Sequence, residues 1–298
     1  MKTSLDCIPC ILRQSLEAGR LVSADTDLHE QILRDALRWT GEMDLDQSPP
    51  AMAQRIHRQL REITGVDDPY RQAKDKLNNL ALELIPAFRA EIESADDPLL
   101  MAVRLAIAGN MMDMGVNGSL TEADVRLTMK QALTAPFFGE MDKFRQAIDE
   151  AQSILYLADN AGEIAFDRLL VEQLLSKRVT VAVRGAPVIN DVTLIDAQAV
   201  GLDKIVEVID NGSDAPGTIL NDCNSEFHRR FAEADLIISK GQGNFETLSN
   251  EAGNIFFLFK VKCAVIAEHI NQPLGMQVLI HPDNRPALFV PPHQRVSA

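Results

Sequence analysis

The chain has 298 residues and a formal net charge of −14, with 46% apolar and 24% charged residues. The length suits two domains, or one large domain with an appendage, and the composition is that of a globular chain able to bury a core. The acidic balance argues against nucleic acid, which is bound through many Lys/Arg–phosphate contacts, and against anionic membranes. It leaves room for a divalent cation, or for a small phosphorylated ligand held by a local positive site.

The start, MKTSLDCIPCILRQSLEAGR, places Asp6, Arg13 and Glu17 where the apolar run of a signal peptide would lie. No uninterrupted apolar run approaches the roughly 20 residues of a membrane span. A cytoplasmic protein is expected. Four cysteines, Cys7, Cys10, Cys223 and Cys263, are too few for a disulfide scaffold in a chain of this length. The Cys7-Ile-Pro-Cys10 motif has almost no chain before it, so no strand can present it as a thioredoxin-like site. Pro9 fits the first turn of a helix, and Ile8, Ile11, Leu12 and Leu16 give that helix an apolar face. Two thiols packed at a helix start are the simplest reading; a zinc site would need Cys223, Cys263 or a distant histidine.

Residues 1–148 read as an all-helical region. Leu28, Ile32, Leu33, Ala36 and Leu37 form one stripe; Met52, Ile56, Leu60 and Ile63 form another. Ala73, Leu77, Leu80, Ala81, Leu84 and Phe88 form a third, in a helix that Pro86 is expected to kink. Ser119 and Glu122 stand at capping-box spacing before a further helix.

From residue 149 to 298 the rhythm changes. Short apolar runs alternate with helical stretches: ILYLA, VTVAVR, IVEVID, LIISK, IFFLFKV and QVLI. Continuous apolar strands alternating with helices predict an α/β domain, Rossmann-like and doubly wound, with a mainly parallel sheet covered on both faces. Ligands of such sheets bind beyond the carboxyl ends of the strands.

Those ends are unusually polar. After ILYLA come Asp159, Asn160, Gly162 and Glu163. After VTVAVR comes GAPVINDVT, with Arg184 at the strand end and Asp191 before a helix. NGSDAPGT, with Ser213, follows IVEVID. Lys240, Gly241, Gln242, Gly243 and Asn244 close LIISK, and Lys262 follows IFFLFKV. Each has a plainer reading. Asp191 can be a helix N-cap, Asp159-Asn160 turn chemistry, and the two lysines solvated ends. Taken together, adjacent crossovers bring Asp159, Asn160 and Asp191 to one sheet edge. Two carboxylates and an amide carbonyl are hard oxygen ligands that suit a divalent cation, with water filling the remaining positions. Lys240, Lys262 and the helix starts after Gly243 and Gly217 offer positive potential for an anion. A cation beside an anion site points to phosphoryl chemistry. The chain has neither a GxxxxGK[ST] loop nor a GxSxG elbow.

The segments LADNAGEIAFD, RGAPVINDVT, SKGQGNFETL and LFKVKCAVIA, with AGNMMDMG in the helical half, resemble the metal-dependent damage-control phosphatases, a family also described as acidic-residue-methyltransferase-like. The resemblance runs to about residue 270, and the DCIPC start is similar to the branch found mainly in archaea and bacteria. It implies a helical region packed on a Rossmann-like domain and one divalent cation (Mn, Co, Ni or Mg) on Asp159, Asn160 and Asp191. It also implies a phosphate contact from Lys262 and a substrate loop at Lys240–Asn244, with Asn110 and Asp113 near the site. Other branches carry Arg-Thr-x-Lys where this chain reads Phe259-Lys260-Val261-Lys262, so the arginine is absent.

The expected catalytic set is therefore Asp159, Asn160, Asp191 and Lys262. Asn110, Asp113, Glu163, Arg184, Ser213 and the loop from Lys240 to Asn244 are expected around a small phosphorylated metabolite. The expected reaction is metal-assisted hydrolysis of a phosphomonoester. The alternatives are an S-adenosylmethionine-dependent methyltransferase and a non-catalytic module that binds a phosphorylated metabolite. The number of subunits is not encoded in any motif.

Overall fold

The computed structural model describes residues 1–110 and 122–282. The first part is helical, as the apolar stripes predict. Helix α1 (Cys7–Val22) begins at the CxxC motif, with Pro9 in its first turn. The four cysteines are free thiols of intermediate exposure, and burial pushes the Cys7 thiol up to about 11. Next come α2 (Thr26–Glu42) and α3 (Pro49–Thr64), the latter opened by prolines and closed by Gly65 at φ 66°. Helix α4 (Arg71–Glu93) runs through Pro86 without interruption. In α5 (Pro98–Gly109), Asp97 caps the first turn by accepting from Leu100 N. Helix α6 (Glu122–Thr134) completes the set; Ser119, its expected cap, lies outside the described residues.

The sheet follows. Its strands are β1 (Phe137–Gly139), β2 (Ser153–Leu157), β3 (Arg178–Val183), β4 (Glu207–Asp210), β5 (Leu236–Lys240), β6 (Ile255–Lys260) and β7 (Gln277–Ile280). The intervening helices are α7 (Met141–Glu150), α8 (Glu163–Glu172), α9 (Leu194–Ala199), α10 (Ser225–Glu233), α11 (Gln242–Leu248) and α12 (Ala264–Ile270). The seven strands lie in the order β1-β7-β6-β5-β2-β3-β4. Pairing is parallel throughout except between β6 and β7. Each expected strand is present. The addition is β1, three residues that pair with β7 from inside the region read as helical. A segment that short carries no periodicity; its partner, far along the chain, makes it a strand.

Strand residues alternate between two cores, as the pleat requires. Ile154 and Tyr156 of β2, with Phe256 and Leu258 of β6, face the side covered by α4, α5 and α8. Leu155, Leu157, Phe257 and Phe259 face the other, with Phe227, Phe245 and Ile266. The first core contains Leu84, Phe88 and Ala106 from the helical part beside Ile154 and Val181 from the sheet, so it is continuous across residue 148. The chain leaves β2 toward β3 on one side, while β5 and β6 lie on the other. The switch point is thus between β2 and β5, where a doubly wound sheet opens a crevice.

Candidate active site

The loops that leave β2 and β3 are joined backbone to backbone. Asp159 O accepts from Val192 N at 2.9 Å, and Ala161 N donates to Asn190 O at 2.9 Å. Asn160 and Asp191 thereby form an isolated antiparallel bridge just beyond the strand ends. Ile189 enters this bridge at φ 45°, a left-handed conformation that a β-branched residue adopts only under constraint. Asp191 does not cap α9: Thr193 and Asp196 form a reciprocal capping box there.

Side chains complete the cluster. Glu163 opens α8, fully buried. Its Oε1 accepts from Lys240 Nζ at 2.6 Å. Its Oε2 accepts from the Nδ2 atoms of Asn110 and Asn160 at 2.7 and 3.0 Å. The same two amides donate to Asp159 Oδ2, at 2.9 and 2.7 Å. Arg184 Nε donates to Asp191 Oδ2 at 2.7 Å, and Arg184 Nη2 stands 3.7 Å from Asp159 Oδ1. Gly241, at φ 82°, passes directly against Asp159; a Cβ built there would overlap its carboxylate.

The electrostatics are unbalanced. Asp159, Glu163, Asp167 and Asp191 are buried together, and Lys240 and Arg184 are buried cations paired with them. Burial, then Glu163 and Asp191, push the Asp159 carboxyl well above the usual carboxylate range. Burial likewise lifts Asp167 to about 7, although Lys240 opposes it. With all four carboxylates ionised, the formal excess is two negative charges, and one divalent cation cancels it. Among the described residues, no three His, Cys, Asp or Glu side chains gather in a way that would hold a metal. A cation here would draw on two carboxylates and on amide oxygens. That hard donor set fits Mg²⁺ or Mn²⁺ and admits Co²⁺ or Ni²⁺.

Several expected site residues serve the scaffold instead. Lys240 was expected to face an anion. Its ammonium donates to Ala106 O at 2.8 Å, to Glu163 Oε1 and to Asp167 Oδ1 at 2.6 Å, so its three hydrogens all point into the protein. Asn244 is fully buried and accepts from Thr218 Oγ1 at 2.8 Å and Arg184 Nη2 at 3.3 Å, while donating to Lys240 O at 2.7 Å. Ser213 Oγ donates to Asp222 Oδ2 at 2.6 Å, and Ser213 O accepts from Gly185 N at 2.8 Å, which ties the loops after β3 and β4 together. Gln242 Oε1 accepts from Lys262 N at 3.1 Å. Gly243 packs its backbone against Pro216. Lys262 is exposed at the end of β6, and its charge acts to lower the Asp159 pKa. Asp113 lies outside the described residues.

Other contributors carried weaker signals. Asp167 is four residues after Glu163, hence on the same helix face, and this spacing could have been noticed. It accepts from both Lys240 and Tyr156 Oη. Asn78 of α4 accepts from Gly162 N at 2.7 Å and donates to Asp196 Oδ1 at 2.9 Å, fixing the entry to α8 from the helical region. Arg61 of α3 donates to Pro187 O at 2.6 Å and pairs with Asp214. Asn190 is 1% exposed, and its Nδ2 has no partner among the described residues.

Comparison with known proteins agrees with this architecture. A crystal structure of a DUF89 family protein from Pyrococcus horikoshii matches with a TM-score of 0.87 at 29% identity, covering 95% of this chain and 99% of that one. A protein of Archaeoglobus fulgidus named damage-control phosphatase is 36% identical over 286 residues, 93% of this chain and 98% of its own. Damage-control phosphatase PH1575 of Pyrococcus horikoshii is 32% identical over 285 residues, 93% and 97% of the two chains. Residues 3–278 match the damage-control phosphatase ARMT1-like domain, and the chain belongs to that family.

Proposed function

We propose that the protein is a divalent-metal-dependent phosphatase that hydrolyses phosphomonoesters of small metabolites. The observation that carries this reading is the bridge between Asn160 and Asp191. It sets Asp159, Asn160 and Asp191 side by side in a buried cluster where four carboxyl groups meet the buried cations Lys240 and Arg184. Family membership supports a phosphatase role in metabolite repair.

In this reading Asp159, Asn160 and Asp191 hold one divalent cation. When bound, the cation supplies charge for a phosphoryl oxygen and a more acidic water. The chain's own residues do the rest. Arg184 fixes the Asp191 carboxylate by its Nε bond. Glu163, anchored by Lys240, holds the Asn160 amide nitrogen so that its carbonyl oxygen points the other way. Lys262, exposed at the rim, balances charge on the phosphoryl oxygens. No helix among the described residues is long and apolar enough to cross a membrane.

The test is metal reconstitution. Protein stripped of metal is given Mn²⁺, Co²⁺, Ni²⁺ or Mg²⁺ singly, and phosphate release is followed with sugar phosphates, nucleotides and an aryl phosphate. Release that needs a cation and disappears in Asp159→Ala is the expected result. Full activity in Asp159→Ala would sink the assignment. Tight binding of S-adenosylmethionine without phosphate release would move the reading to a methyltransferase.

A further inference from the structure

Asn110 and Asn160 are mounted alike. Both Nδ2 groups straddle the same two oxygens, Asp159 Oδ2 and Glu163 Oε2, at distances between 2.7 and 3.0 Å. Both residues thus present the NH₂ side of the amide to this oxygen pair. Each Oδ1 is thereby turned away from the two carboxylates. For Asn110 this oxygen is left buried, in a residue 1% exposed, with no donor among the described residues. An orphaned carbonyl oxygen beside this cluster of acidic side chains is suited to a cation and not to another acceptor.

The fold brings Asn110 there deliberately. Asn110 is the C-cap of α5, one residue past Gly109. A Cβ at Gly109 would sit 3.2 Å from Glu163 Cγ, tighter than an ordinary contact, so the glycine lets the end of α5 close on the start of α8. Small neighbours Ala106 and Ala108 are buried on the same helix, and Ala106 O receives the Lys240 ammonium. The helical region therefore delivers one amide to the same carboxylate pair that the sheet's own Asn160 engages.

We propose that Asn110 Oδ1 is a further ligand of the cation site formed by Asp159, Asn160 and Asp191. The proposal rests on the metal-dependent reading above. It adds a residue from the helical half to a set otherwise supplied by the loops after β2 and β3. A helical region that only covered the sheet would have no need to end a helix at this point with an oxygen that has no partner among the described residues.

The experiment is Mn²⁺ binding to metal-stripped protein without any substrate, followed by calorimetry and by the number of water molecules directly on the bound Mn²⁺, read from water relaxation. Asn110→Ala is expected to weaken Mn²⁺ roughly 10- to 100-fold and to admit about one more water to the ion. Weaker binding with an unchanged water number would overturn the proposal, because Asn110 would then act only through its NH₂ on Asp159 and Glu163. If Asn110→Ala does not fold, the wild type decides. With six positions on Mn²⁺, about two waters agree with four protein ligands and about three with the three-ligand set alone. A wild type that binds no Mn²⁺, Co²⁺, Ni²⁺ or Mg²⁺ would remove the metal reading itself, and this proposal with it.

Discussion

Lys240 Nζ and Glu163 Oε1 are 2.6 Å apart, and both side chains are wholly excluded from solvent. The pair joins the end of β5 to the start of α8 across the switch point of the sheet. Burial acts to lower the Lys240 pKa, but Asp167 and Glu163 overcome it, so the ammonium stays charged. Removing one member of such a pair strands the other. Lys240→Met is expected to cost about 3–5 kcal/mol of stability, measured by urea unfolding. The double variant Lys240→Met/Glu163→Gln should recover part of that loss, since it removes the stranded charge as well. A Lys240→Met protein as stable as wild type would contradict the buried pairing.

Gly241 offers a more local perturbation. Its φ of 82° and its contact with the Asp159 carboxylate both exclude a side chain. In Gly241→Ala the backbone strain is worth about 1–2 kcal/mol, and the new methyl must displace the carboxylate. Activity should fall at least tenfold, while circular dichroism shows the same helix content. Retained kcat/KM would mean that the Asp159 position is not critical.

Much of this site could be read from residue order. The apolar runs ILYLA, VTVAVR and LIISK correspond to β2, β3 and β5, and the rule that ligands sit beyond carboxyl strand ends singles out Asp159, Asn160 and Asp191 as candidates in adjoining loops. Lys240 was misjudged for a physical reason. A lysine ending a strand looks solvated until the acids beneath it are known, and Glu163 and Asp167 belong to a helix more than 70 residues earlier in the chain. Asn78 gave no signal at all. It lies on the buried face of α4, and nothing in its neighbourhood marks it as the acceptor for Gly162 N. Long-range polar contacts of this type depend on how helices are docked, which residue spacing within each helix does not specify.

His57 supplies a pH dependence away from the metal cluster. It is buried on α3 against Tyr70, and burial, aided by the Arg61 charge, lowers it to about 4 from 6.5, with Asp214 opposing. The folded protein therefore holds a neutral imidazole where the unfolded chain would be protonated. Stability from this group is full above about pH 6.5 and is lost as pH falls toward 4, by about 3 kcal/mol at the acid end. In His57→Phe the loss between pH 7 and 5 should be smaller than in wild type. Identical urea midpoints against pH for the two proteins would refute the buried neutral histidine.

Lys262 should behave in the opposite way to Lys240. It stands exposed at the rim, after a strand whose Phe257 and Phe259 are buried, and its charge reaches Asp159. Truncating an exposed side chain of this type changes stability by no more than about 0.5 kcal/mol. A lysine that balances developing charge on a phosphoryl group is worth far more to the reaction, roughly 100-fold in kcat/KM. Lys262→Ala is therefore expected to melt like wild type and to bind Mn²⁺ like wild type, yet to release phosphate about 100-fold less efficiently. An unchanged kcat/KM would remove Lys262 from the reaction. The anion would then have to be met by backbone N–H groups of the loops after β4 and β5, because the ammonium of Lys240 is already committed to Glu163 and Asp167.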